Sequence, residues 1–154
     1  MIVIGDICPL AVLARVDRLG LLRDLKRPVV VPASVREAFQ KTGHRLPWFI
    51  KVQAATNRSY VEELRSWLDE HEAEAIALFK EISADVLLID DHLGRRIAKR
   101  EGVRSISLLG FLVAAKRAGS ISSFRSLFMD IKNLTGYRVI ARVEKAMMGH
   151  AGEA

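Results

Sequence analysis

Val86-Leu87-Leu88-Ile89-Asp90-Asp91-His92-Leu93-Gly94-Arg95-Arg96 is the stretch whose reading decides the fold. Four apolar residues in a row form a buried strand, and the strand ends abruptly in two carboxylates. A basic, helix-compatible segment follows. In open α/β sheets, ligand sites lie just beyond the carboxyl ends of the strands. Two acids at such an end repel one another unless a cation or a proton relieves them. The neighbouring sequence therefore has to be searched for further acids delivered to the same edge.

Working outward, the same strand-then-helix alternation recurs. Ile2 to Ile4 is a short apolar run broken by Gly5 and Asp6, and Pro9 suits the first turn of a helix. Apolar residues recur at helical spacing from Leu10 to Leu25, with Gly20 as the expected break. Val29 to Val31, three β-branched residues between Pro28 and Pro32, form a strand. Ser34, with Glu37 three residues on, has the spacing of a capping box and opens a helix that ends at Thr42-Gly43. Trp48 to Val52 alternates weakly and reads as an edge strand. Helices are expected over Ser59 to Trp67 and from Asp69 to about Ile82. Beyond the central strand, a basic helix (Gly94 to Glu101) precedes a strand at Val103 to Ile106. Helices follow over Leu108 to Ala118, near Phe124 to Ile131 and over Val139 to Met148. Strands alternating with helices specify an α/β fold with a mostly parallel sheet of four to five strands. The chain carries no internal repeat, low-complexity segment or linker, so it is read as one domain over 1–148 with a C-terminal tail at 149–154.

Composition bounds the partners. The chain has 154 residues, half of them hydrophobic and only 6% aromatic, which calls for an aliphatic core. No apolar run reaches the ~20 residues of a membrane span. The opening Met1 to Asp6 has neither a basic leader nor a signal-like apolar region, so a cytoplasmic protein is expected. A single cysteine, Cys8, builds neither an intrachain disulfide nor a zinc site by itself. Lys plus Arg outnumber Asp plus Glu by 24 to 18, a formal charge of +6 that favours polyanionic partners.

Against this basic background the acids stand out. Asp6 and the pair Asp90 and Asp91 sit at strand exits, Glu72 and Glu74 in the first turns of a helix, and Glu37 on the helix after the second strand. A parallel sheet sends every strand exit to one edge, so these carboxylates can converge there. Converging carboxylates suit hard divalent cations, above all Mg²⁺ or Mn²⁺. Simpler roles stand beside this one. Glu37 and Glu72 both fit the third helical position of capping boxes, Ser34-x-x-Glu37 and Asp69-x-x-Glu72, while Asp91 and Asp6 are placed to cap the helices that follow them. Asp90 has no such local task, because Asp91 already supplies the cap. Arg95 and Arg96 read either as a solvated basic face or as a phosphate clamp. Nucleotide-cradling loops, the G-x-S-x-G elbow and metal-ligand spacing of His44, His71, His92 and His150 are all missing.

Four segments resemble the PIN-domain family, in particular its small prokaryotic branch of nucleic-acid-binding proteins. Ile2 to Leu10 is similar to the family's opening strand leading into D-T-S-P-L, and Val31 to Glu37 to its second strand and following helix. Leu68 to Leu78 resembles D-x-G-E-A-E-A-I-A-L, and Leu87 to Ala98 resembles L-L-I-D-D-x-x-G-R-x-x-A. Gly110 to Gly119 also fits. The resemblance implies a three-layer α/β/α sandwich, a Mg²⁺- or Mn²⁺-dependent ribonuclease, a toxin–antitoxin setting with a small antitoxin partner, and a homodimer. It implies Asp6, Glu72 and Asp90 as catalytic metal-binding acids, Asp91 as an auxiliary ligand, Glu37 as a possible additional acid, and Arg95 as a contact to the RNA backbone. The chain departs from the pattern at several positions. Ala38 stands where the second-helix glutamate is expected, Ile7 and Cys8 replace Thr-Ser, His71 replaces a glycine, and Leu108 replaces a threonine. These departures imply the alternative of a catalytically weakened or inactive PIN-like module that binds nucleic acid or protein.

Overall fold

A computed structural model describes all of residues 1–154. The elements run β1 (Val3–Gly5), α1 (Ile7–Arg15), α2 (Gly20–Asp24), β2 (Val29–Pro32), α3 (Ala33–Gln40), β3 (Ile50–Gln53), α4 (Arg58–Leu64) and α5 (Glu70–Glu81). They continue with β4 (Val86–Leu88), α6 (His92–Arg100), β5 (Ser105–Ile106), α7 (Leu108–Arg117), α8 (Phe124–Thr135) and α9 (Ala141–His150). The five strands form one all-parallel sheet ordered β3-β2-β1-β4-β5.

Alternation of side chains along these short strands builds two cores, one on each face. Val3, Val29, Val31 and Leu88 point into a cluster with α1, α2, α3, α7 and α8. Ile4, Val30, Leu87 and Ile89 point into a second cluster with α4, α5 and α6. Both faces of the sheet are covered, as an all-parallel sheet requires, and the result is a three-layer α/β/α sandwich. No helix is long and apolar enough to cross a membrane.

Most sequence-derived elements stand within a few residues of their expected places, and β3 is the edge strand it was read to be, with Lys51 to Gln53 exposed. Two local expectations are corrected. The helical run after Pro9 breaks earlier than Gly20: α1 stops at Arg15, Asp17 turns the chain at φ 55°, and Gly20 begins α2. The Ser34–Glu37 capping box does not form. Helix α3 starts at Ala33 with Pro32 at its N-cap, and the Ser34 hydroxyl donates instead to Glu74 at 2.6 Å. A long-range carboxylate has outcompeted the local one.

The strand order fixes where a site can lie. From β1 the chain winds outward through β2 and β3, then returns to the other side of β1 through β4 and β5. The winding direction reverses between β1 and β4, which opens a crevice at their carboxyl ends. Backbone pairing holds that edge together: the Asp6 amide donates to the Leu88 carbonyl at 3.0 Å, and the Ile89 amide to the Ile106 carbonyl at 3.0 Å.

Candidate active site

Asp6 leaves β1 and Asp90 leaves β4, so the two strands flanking the reversal each deliver an acid to the crevice. Asp6 occupies the N-cap position of α1, yet its side chain makes no capping hydrogen bond. It is only 2% exposed, and its Oδ1 faces Nδ1 of His71 at 3.3 Å. The same nitrogen lies 3.1 Å from Oδ1 of Asp69. The hydrogen bond to Asp6 raises the His71 imidazole above its ordinary value, outweighing the desolvation that would lower it.

Asp90 is freed from capping because Asp91 does that work, its Oδ2 accepting from the Gly94 amide at 2.7 Å. Asp90 turns the other way. Its Oδ1 accepts from the Leu108 amide at 2.7 Å, at the start of α7, and Cys8 Sγ donates to its Oδ2 at 3.9 Å. Desolvation pushes the Asp90 carboxyl up against the opposing pull of the Leu108 amide, the Tyr137 phenol and the Arg95 guanidinium. The Cys8 thiol is itself pushed up to about 12, by desolvation first and then by Asp90 and Asp6.

Glu72 is the third acid at this edge. It completes the capping box of α5, its amide donating to Asp69 Oδ1 at 2.9 Å and its Oε2 accepting from the Asp69 amide at 3.3 Å. Capping does not exhaust its chemistry. The side chain is buried, and desolvation followed by the charges of Asp69, Asp91 and Asp6 raises its carboxyl to about 8. Gly94 makes room for this crowding, since a Cβ there would stand 2.8 Å from Ile89 Cδ1 and 3.4 Å from both Asp91 Oδ2 and Glu72 Oε1.

Glu37 and Glu74 lie elsewhere. Glu37 is exposed and lines a separate depression with Arg58, Glu70 and Glu74. Glu74 is a buried clamp, accepting from the Ser34 amide and hydroxyl, the Ala55 amide and the Arg58 guanidinium. Desolvation alone would raise its carboxyl; these donors together hold it below its ordinary value. Arg95 is exposed on α6 and close enough to Asp90 to oppose the rise of its pKa.

Two participants escaped the sequence reading. Tyr137, in the loop after α8, faces Asp90, and desolvation together with that carboxylate raises its phenol above the ordinary value. The Leu108 amide holds Asp90 whatever side chain residue 108 carries. A backbone donor leaves no mark in a sequence. A tyrosine in an irregular segment leaves almost none.

The donor set fits a hard divalent cation in kind: carboxylate oxygens, mutually repelling and largely desolvated. It does not yet fit in arrangement. No three His, Cys, Asp or Glu side chains are gathered closely enough to hold a metal ion: Asp6 faces His71, Glu72 accepts from the Asp69 amide, and Asp90 accepts from the Leu108 amide. A family model described as a PIN domain matches residues 2–153. No curated protein and no solved structure matches the chain.

Proposed function

The chain belongs to the PIN-domain family, nuclease-type domains that generally use divalent metal ions, and from that premise we propose that it is a Mg²⁺- or Mn²⁺-dependent endoribonuclease. The observation that carries this reading is that β1 and β4, the strands flanking the reversal, each end in an acid, Asp6 and Asp90, with Glu72 nearby, raised to about 8 by burial first and then by the charges of Asp69, Asp91 and Asp6. Asp6, Glu72 and Asp90 would hold the ion, with Asp91 beside them and Glu37 as a possible further acid. A bound cation supplies Lewis acidity and neutralises charge on the phosphodiester.

The chain's own groups do the rest. The Leu108 amide and the Cys8 thiol fix the orientation of Asp90 from two sides. His71 fixes Asp6. Arg95 binds the RNA backbone next to the acids, and the aliphatic core packed below the crevice keeps water from the buried faces of Asp6 and Glu72. In hydrolysis, water attacks phosphorus, the bond to the leaving oxygen breaks, and that oxygen takes up a proton. The resemblance to the toxin-like branch supports a cytoplasmic homodimer acting as the toxin of a toxin–antitoxin pair, held silent by a small antitoxin.

A second reading is favoured by one observation, the absence of a gathered ligand set. There the same fold is a weakened or inactive module that binds nucleic acid or protein. Titration calorimetry with Mn²⁺, using Asp6→Ala as control, separates the two. Heat of binding lost in Asp6→Ala, with single-stranded RNA cleaved in Mn²⁺ and spared by Asp90→Asn, supports the nuclease. No Mn²⁺ binding and no cleavage leave the binding module.

A further inference from the structure

Strand β3 closes one end of the sheet, with β2 on one side and no strand on the other. Alternate residues of such a strand direct their backbone N–H and C=O groups outward, where no neighbouring strand answers them. Natural sheets blunt such edges by keeping them short, and the opposite end obeys this, since β5 is only Ser105–Ile106. β3 runs over Ile50–Gln53 and is exposed at every position after the first.

A groove of about 400 Å³ lies against β3. Ile50 packs into the core with Val35 and Phe39, and alternation puts Val52 on the same face. Arg36 and Gln40 contribute to the groove from α3, and Arg45, Leu46 and Trp48 from the segment that leads into β3. Trp48 stands 84% exposed, its ring edge-on to Phe49. An aromatic ring left in water beside an unpaired edge is the kind of anchor that interfaces bury. The groove contains no acid, and Arg36, Arg45 and Lys51 make no ion pair.

Lysine on an edge strand is a common guard against pairing between copies. It serves that end here, since two copies joined through β3 about a two-fold axis would bring these cations together. The charge that repels a second copy attracts an acidic partner. A polynucleotide would answer the charge but not the open row of backbone groups, which calls for the alternating donors and acceptors of a peptide.

We propose that the β3 edge docks an acidic, extended peptide segment of another protein, which adds to the sheet as a further strand. Its alternate apolar side chains seat against Val52, Leu46 and Trp48. Lys51, on the other face of β3, meets the carboxylates between them, and Arg36 and Arg45 meet acids that flank the paired stretch. The edge shares no residue with the acids at the β1–β4 reversal, so the proposal stands whether or not the chain cuts RNA.

The test is fluorescence anisotropy of the full chain with a labelled peptide of three Val-Glu pairs flanked by two Asp at each end. The protein should bind it and should not bind the same peptide with Lys in place of every acid. Two further peptides carry N-methyl groups, one on its Val amides and one on its Glu amides. Only one set of amides faces β3, so one methylated peptide should lose about tenfold in affinity and the other should not. Which of them fails reports whether the added strand is parallel or antiparallel. Arg36→Ser/Arg45→Ser should weaken binding roughly three- to tenfold, and Trp48→Ala about tenfold. Arg96→Ser/Lys99→Ser removes equal charge beside β5, at the opposite end of the sheet, and should bind as the native protein does. Circular dichroism melts check that all variants fold. The proposal is overturned if the acidic peptide does not bind, if the lysine peptide binds as well, if neither methylation weakens binding, or if the two double variants weaken it alike. It is also overturned if oligouridylate binds more tightly than the peptide with the same dependence on Arg36, Arg45 and Trp48. A native dimer that Trp48→Ala dissociates in sedimentation would give the edge to a second copy and overturn it too.

Discussion

The imidazole Nδ1 of His71 sits 3.3 Å from Oδ1 of Asp6, at a position where the family motif has glycine. A protonated ring here neutralises the acid that β1 delivers, and the same ring reaches Asp69 at 3.1 Å. It thus competes with any cation for Asp6. Replacing His71 with Ala, which keeps the helix, should release Asp6 at a cost to the protein of about 1 kcal/mol for the lost charge-assisted contact. Mn²⁺ affinity should then rise roughly fivefold by calorimetry. Weaker Mn²⁺ binding in His71→Ala would mean instead that the imidazole is a ligand.

Glu72 sets a pH dependence of known sign. Its carboxyl is raised from 4.5 to about 8, so between these values the folded protein holds a proton that the unfolded chain has lost. The contribution is fully present below pH 4.5 and is lost as pH rises through about 8. Urea unfolding should show stability falling by on the order of 2–4 kcal/mol across that window. Glu72→Gln keeps a side chain compatible with the capping box and should flatten the curve. Because a cation must displace that proton, Mn²⁺ affinity should rise about tenfold per pH unit below 8. A pH-independent affinity would remove Glu72 from the ligand set.

Glu74 sits two residues from Glu72 and does a different job. It draws together the start of α3, the chain after β3 and the start of α4 through Ser34, Ala55 and Arg58. Glu74→Ala leaves the buried Ala55 amide and the part-buried Ser34 donors unanswered and should cost about 3 kcal/mol in chemical unfolding. Mn²⁺ binding per folded molecule should not change. Loss of metal affinity in a Glu74 variant that still folds would place it in the site.

These three acids show what was legible in the chain and what was not. The run Val86 to Asp91 announced a buried strand with an acidic exit, and parallel topology then placed Asp6 and Asp90 just past the ends of two adjacent strands. Local spacing correctly gave the Asp69–Glu72 box and the Asp91 cap, since both contacts are three residues apart. The same rule misassigned Ser34, because Glu74, 40 residues away, offers a buried carboxylate that a local rule cannot see. His71 stood out in the sequence as a neighbour of Glu72 and as a departure from a motif. Its engagement with Asp6 depends on how α5 lies across the sheet, which spacing does not specify.

Glu153 ties the end of the chain to the body. Its carboxylate accepts from Lys116 Nζ at 3.0 Å, from the Phe124 amide at 2.6 Å and from the Arg125 amide at 3.1 Å. Those two amides open α8 and have no partner within the helix, so an acid three residues past α9 is serving as a remote cap. The ion pair with Lys116 and the two amides lower the carboxyl from 4.5 to about 2. Stability from this contact is present above pH 4.5 and is lost as pH falls toward 2. Glu153→Gln keeps the shape and removes the charge. It should lower Tm at neutral pH, flatten the acid limb of the stability curve, and speed hydrogen exchange at Phe124 and Arg125 in particular. Uniformly faster exchange, with the acid limb unchanged, would show that the mutation loosens the domain generally and that the clamp is not the cause.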